Sequence, residues 1–249
     1  MQVVVDSLIT QYSESGAGKT VLLLHGWGDS LAGFRDLQAN LSKNYRVIAV
    51  DLPGFGQTQQ PAGPWNLDDY VKFVQNFLTK LNITPFAIIG HSNGGAIAIR
   101  GLASSRIQAD KLILLDSAGI RGEYKGRIKA IRLVTKAGKL MTTPLPKGTK
   151  QKLRKKVYES IGSDMLVAEH MQETFKNVVT DDVRADAETI VIPTLLIYGS
   201  EDTATPPEYG RQFQQRIKGS VFELVPGAGH FVHHDQPAVV FARIEEFLK

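Results

Sequence analysis

Serine is a weak nucleophile at neutral pH. It becomes useful when a base takes its proton and an acid orients that base. Ser92 has the neighbours for such a role. It lies at the centre of Gly90-His91-Ser92-Asn93-Gly94, a G-x-S-x-G pattern followed by Gly95. An apolar run, Phe86 to Ile89, precedes it, and an Ala/Ile-rich stretch of helical composition follows. A strand that turns sharply into a helix lifts the central hydroxyl clear of a sheet, and small residues on either side make room for the turn. The helix N-terminus there also favours developing negative charge. The bland alternative is a glycine-rich turn with a serine N-cap.

A base and an acid lie downstream. Asp202 follows the run Pro193 to Tyr198 within Gly199-Ser200-Glu201-Asp202, and His230 follows Ser220 to Val225 within Gly227-Ala228-Gly229-His230. Catalytic groups gather at the C-terminal edge of an open parallel sheet. The order Ser92, Asp202, His230 is the one expected for a strand-turn-helix nucleophile. Asp116 also ends an apolar run and is the rival acid. An oxyanion formed at the substrate needs two donors. The backbone N–H of Asn93, just after the nucleophile, is one, and that of Trp27 within His25-Gly26-Trp27-Gly28 is the other. His25, His91, His233 and His234 are read as structural braces in no metal-binding spacing. Asp51 is read as a brace for the Pro53-Gly54 turn.

These residues need a frame to position them. Val21 to Leu24, Arg46 to Val50, Phe86 to Ile89, Lys111 to Leu115, Pro193 to Tyr198 and Ser220 to Val225 are short apolar runs bounded by turn residues. Such runs suit buried parallel strands. Between them, Leu67 to Leu81 places Leu67, Tyr70, Val71, Val74, Phe77, Leu78 and Leu81 on one helical face, and Val239 to Leu248 closes the chain at helical spacing. The alternation predicts an α/β sheet with helices on both faces. Val3 to Val5 and Leu8-Ile9, divided by Asp6-Ser7, predict a leading antiparallel hairpin. Residues 117–191 break the rhythm and carry no convincing strand. Ile128, Ile131, Val134, Ala137, Leu140 and Met141 recur at helical steps there. The expected organisation is a core of residues 1–116 and 192–249 with a helical cap at 117–191.

Composition narrows the function classes. The chain has 249 residues, 43% hydrophobic and 22% charged, and no cysteine. Zero cysteines exclude disulfides, thiolate metal sites and a cysteine nucleophile. No apolar run approaches the ~20 residues that span a bilayer, and the N-terminus lacks signal-peptide features. The expected location is the cytoplasm. Arg121 to Lys156 holds 13 basic residues against one acid, although the whole chain is only +4. A solvated helical face is the expected reading of that block, with attraction of anionic substrates as the alternative. Nucleic-acid binding is not expected, because Tyr124 and Tyr158 lie only at its two ends and no aromatic side chains interleave it as a stacking platform. Ser15-Gly16-Ala17-Gly18-Lys19-Thr20 ends like a phosphate-binding loop. A strand follows it where a helix is needed, so a hairpin-type turn is expected instead.

Four signatures together resemble the α/β-hydrolase superfamily, in its capped, esterase-like branch. They are His25 to Gly28, Asp51-Leu52-Pro53-Gly54-Phe55-Gly56, Gly90 to Gly95, and the Asp202 and His230 loops. The resemblance implies an eight-stranded, mostly parallel sheet and a helical lid after the sixth strand. It also implies a triad of Ser92, His230 and Asp202, with oxyanion donors at Trp27 and Asn93. Asn93 stands where many relatives carry Met or Gln. Branches that use an aspartate nucleophile are disfavoured by Ser92. The expected activity is hydrolysis of small carboxylic esters without cofactor or metal, in a pocket shaped by Ile128, Leu133, Leu140 and Met165. Carbon–carbon bonds, lactones and amides are alternative targets of the same machinery, and a non-catalytic receptor of this fold is a more distant one. Monomer and homodimer both remain open.

Overall fold

The computed structural model describes residues 1–121 and 171–249. Eight strands form one sheet: β1 (Gln2–Val5), β2 (Leu8–Ser15), β3 (Thr20–Leu24), β4 (Arg46–Val50), β5 (Ala87–His91), β6 (Lys111–Leu115), β7 (Thr194–Gly199) and β8 (Val221–Val225). Their spatial order is β1-β2-β4-β3-β5-β6-β7-β8. From β4 to β8 every pairing is parallel; β2 pairs antiparallel with both β1 and β4. This is the α/β-hydrolase architecture.

The leading hairpin turns through Asp6 and Ser7, both at positive φ (49° and 65°). Positive φ at both central residues is the geometry whose twist matches two antiparallel strands. The segment after β2 differs from expectation. Ser15 to Thr20 closes no hairpin, because β4 lies between β2 and β3. The loop instead passes over the start of β4, with Gly16 at φ 77° against the carbonyls of Ser42 and Tyr45. Such a crossing depends on which strand fills the gap, and local turn chemistry does not encode that.

Strand residues alternate between two apolar layers, as a pleated sheet requires. Leu22 and Leu24 of β3 face a layer that includes α2 (Leu67–Leu81) and α3 (Asn93–Ala103). Val21 and Leu23 face the other, with Phe34, the helix α1 (Arg35–Leu41) and the C-terminal helix Pro237–Leu248. α2 keeps its expected limits. Asn66 and Asp69 cap its start reciprocally, and Asn82 ends it in the left-handed region (φ 54°). Its buried face gains Phe73, while Leu81 is only partly buried.

The apolar positions Ile128, Leu133, Leu140 and Met165, and the helix expected around 128–141, lie outside the described residues. The returning end of the 117–191 segment is described and helical, at Gln172–Val178 and Arg184–Ala187. No described helix is long and apolar enough to cross a membrane.

Candidate active site

β5 runs directly into α3 through Ser92, whose backbone is at φ 50°, ψ −117°. A non-glycine residue there is strained and persists only where its surroundings hold it. Both flanking glycines are required by space. A Cβ on Gly90 would stand 2.6 Å from the Gly94 carbonyl oxygen, and one on Gly94 would run into the Leu24 carbonyl. Ser92 N–H donates to the Leu115 carbonyl at 3.0 Å, and its carbonyl accepts from Ala118 at 3.0 Å. The turn is thus pinned to the end of β6.

The Asp202 and His230 loops leave the C-terminal ends of β7 and β8 and converge on that turn. His230 Nε2 lies 3.1 Å from Ser92 Oγ, and His230 Nδ1 lies 2.8 Å from Asp202 Oδ2. Asp202 Oδ1 accepts the backbone N–H groups of Ala204 (2.7 Å) and Thr205 (3.0 Å). Burial opposes ionisation of Asp202, but hydrogen bonds and charge from His230, with help from Thr205, hold its pKa below the usual carboxylate range. The three separated segments therefore form one continuous hydrogen-bonded line, and Asp202 can serve as its charged end.

Asp116, the rival acid, is committed elsewhere. It is fully buried, and its carboxylate accepts the Gly199 N–H (2.8 Å) and the Val232 N–H (2.9 Å). Burial pushes its pKa up to about 7 despite those two bonds. The carboxylate beside His230 Nδ1 is that of Asp202.

The loop after β3 approaches Ser92 closely. A Cβ on Gly26 would stand 3.0 Å from Ser92 Cβ and 2.9 Å from His91 Nδ1. This brings Trp27, next in the chain, to the same edge as Asn93. Asn93 opens α3, and the opening N–H groups of a helix have no intrahelical acceptors. The Trp27 ring packs edge-on against Phe55 (4.8 Å) and tilted against Phe175 (5.1 Å).

The remaining histidines brace. His25 Nδ1–H donates to the Gly26 carbonyl, so Nε2 is free to accept the Leu52 N–H at 2.9 Å. His91 donates through Nε2 to the carbonyl of His230 at 2.7 Å. Burial, with His233 and His230 close by, keeps the pKa of His91 well below its ordinary value. His234 bonds the Gly33 carbonyl at 2.7 Å. His233 is packed among aromatic rings, 5.2 Å from Phe34. Asp51 braces a wider span than the Pro53-Gly54 turn, accepting from Leu31 and Gln57 N–H at 2.7 and 2.8 Å. Among the described residues no cluster of three metal-ligating side chains occurs.

Sequence reasoning missed Thr205. Its Oγ1 lies 2.7 Å from Asp202 Oδ2, 2.8 Å from the Asp116 carbonyl oxygen and 3.0 Å from His230 Nδ1. The only available signal was its place three residues after Asp202, within reach of a local side-chain turn.

Fold and site define a hydrolase of the α/β class. The chain belongs to the alpha/beta hydrolase family, whose model matches residues 21–244. It is 28% identical to a pimeloyl-[acyl-carrier protein] methyl ester esterase of Neisseria meningitidis serogroup A, over 88% of this chain and 73% of that protein. It is 26% identical to a 2-hydroxy-6-oxo-6-(2'-aminophenyl)hexa-2,4-dienoic acid hydrolase of Metapseudomonas resinovorans, over 92% of this chain and 83% of that protein. In structure it is similar to the enol-lactonase of Burkholderia xenovorans LB400, with a TM-score of 0.77, 21% identity and coverage of 100% and 99%.

Proposed function

We propose that the protein is a serine hydrolase that cleaves small carboxylic esters through an acyl-enzyme. The observation that carries this reading is the hydrogen-bonded line Ser92 Oγ, His230, Asp202, at 3.1 and 2.8 Å. Ser92 Oγ attacks the ester carbonyl carbon while His230 Nε2 takes its proton. Asp202 keeps the His230 proton on Nδ1 and stabilises the imidazolium. The backbone N–H groups of Trp27 and Asn93 stabilise the oxyanion. The intermediate collapses, and the imidazolium gives its proton to the departing alcohol. Water then attacks the acyl-enzyme by the same route in reverse and releases the acid. No step requires a metal or an organic cofactor.

The helical cap expected at 117–191 is retained as part of this proposal, although residues 122–170 lie outside the described residues. The described end of the segment supports that reading. Phe175 packs on Trp27, Met171 lies against Gly54, and Thr174 Oγ1 accepts the Trp65 N–H at 3.0 Å. These contacts lie on the loops that follow β3 and β4.

The relative named as a methyl ester esterase supports the ester reading. A second reading, cleavage of a carbon–carbon bond beside a ketone, is favoured by the relative named as a dienoic acid hydrolase. Both use the same serine, and selectivity between them lives in the pocket. The test has two arms. A fluorophosphonate should label wild-type protein and fail to label Ser92→Ala; labelling of the variant would refute the nucleophile. A panel of p-nitrophenyl esters should then be turned over faster than dienone acids, and the reverse order would select the second reading.

A further inference from the structure

The Thr205 hydroxyl sits in the one place where it touches both ionising partners of the proposed relay. Its oxygen is 2.7 Å from Asp202 Oδ2 and 3.0 Å from His230 Nδ1, and Thr205 is 5% exposed. On its far side, at 2.8 Å, stands the main-chain carbonyl oxygen of Asp116. A hydroxyl has one proton and two lone pairs. Here it meets two acceptors, Asp202 and the Asp116 carbonyl, and one ring nitrogen that carries a proton when His230 bonds Asp202. Whichever acceptor takes the Thr205 proton, a lone pair remains for Nδ1–H.

The backbone that presents Asp116 is itself constrained. Asp116 has φ 44°, and its side chain is tied to Gly199 and Val232. A strained non-glycine residue held by several bonds commonly marks a functional position. The strain here places a carbonyl behind Thr205. The backbone N–H of Thr205 separately donates to Asp202 Oδ1, so the fold of this loop does not depend on the hydroxyl alone.

From this geometry we infer that Thr205 is a positioning residue for the acid–base pair, its hydroxyl locking Asp202 and the Nδ1–H tautomer of His230 against the Asp116 carbonyl. The inference rests on the proposed serine mechanism and extends it by a fourth side chain.

Thr205→Val keeps the shape and the backbone donor and removes only the hydroxyl. Thr205→Ser restores it. On a p-nitrophenyl ester, Thr205→Val should lower kcat about tenfold with KM within about twofold, and Thr205→Ser should recover to within about threefold of wild type, as expected for lost orientation. Fluorophosphonate labelling rates should follow kcat. A wild-type protein labelled at Ser92, with Thr205→Val equal to it in kcat, would overturn the role of Thr205 alone. Equal losses in the Val and Ser variants would also overturn it, because the hydroxyl would then be irrelevant. Absence of Ser92-dependent labelling in the wild type would instead bring down the serine mechanism, and this inference with it.

Discussion

The Asp116 carboxylate accepts the N–H of Val232 at 2.9 Å, two residues beyond His230. Its other oxygen accepts the N–H of Gly199 at 2.8 Å, three residues before Asp202. One buried side chain thus holds both loops that carry the proposed acid and base. On the proposed mechanism the two aspartates then have different roles. Asp202→Asn should lower kcat by about 10⁴-fold, because the wrong His230 tautomer is favoured. Asp116→Asn sets an N–H₂ group against one of the two backbone N–H donors. It should cost about 1–3 kcal/mol of stability, the scale of one unsatisfied buried group, with a much smaller loss of turnover. Urea unfolding and steady-state kinetics on both variants decide the matter. A larger kcat loss in Asp116→Asn would make Asp116 the acid.

Gly26 offers a steric test of the same region. A methyl group there would press on Ser92 Cβ and His91 Nδ1, at 3.0 and 2.9 Å. Gly26→Ala should leave the fold intact by circular dichroism and lower the rate of fluorophosphonate labelling by about 10²-fold, as small misplacements of reacting groups do. An unchanged rate would mean that the loop yields without disturbing Ser92.

The buried histidines link stability to pH. Burial, chiefly, depresses the pKa of His233 to about 3, below its ordinary 6.5. The unfolded chain therefore binds more protons than the folded one across that interval. The contribution of His233 is fully present above about pH 6.5 and is lost as pH falls toward about 3. His233→Phe suits the surrounding ring packing and cannot be protonated. Melting temperatures measured between pH 7 and 4 should fall less steeply for the variant. Parallel curves would show that His233 is not protonated on unfolding.

Phe175 tests the cap reading. Its ring lies 5.1 Å from that of Trp27. Phe175→Ala should raise KM for long-chain acyl esters by up to about tenfold, the scale of one lost aromatic contact. Labelling of Ser92 by a small fluorophosphonate should continue. Equal effects on short and long acyl chains would place Phe175 away from the acyl pocket.

Much of the frame could be read from residue order because the relevant forces are local. α2 carries its own cap signals and apolar stripe, so its limits follow from the chain alone. Gly90 and Gly94 announce the turn at Ser92, since no larger residue fits beside the carbonyls that crowd them. Nothing in residue order separates Asp202 from Asp116, since each follows an apolar run; only the folded chain sets Asp202 against His230 Nδ1 and Asp116 against the Gly199 N–H. What escaped depends on distant segments meeting. The placement of β4 between β2 and β3 turned an expected hairpin into a crossing loop. Thr205 acquires its position only once β6, β7 and β8 lie side by side, bringing Asp116, Asp202 and His230 around it.

The backbone at Ser92 has a consequence for any attempt to make this protein hardier. At φ 50° and ψ −117°, glycine would be at ease where serine is not. Ser92→Gly would relieve on the order of 1–3 kcal/mol of distortion. Selection for heat resistance alone would drift toward that replacement and, on the proposed serine mechanism, silence the molecule, so a stabilisation campaign must screen for turnover at every round.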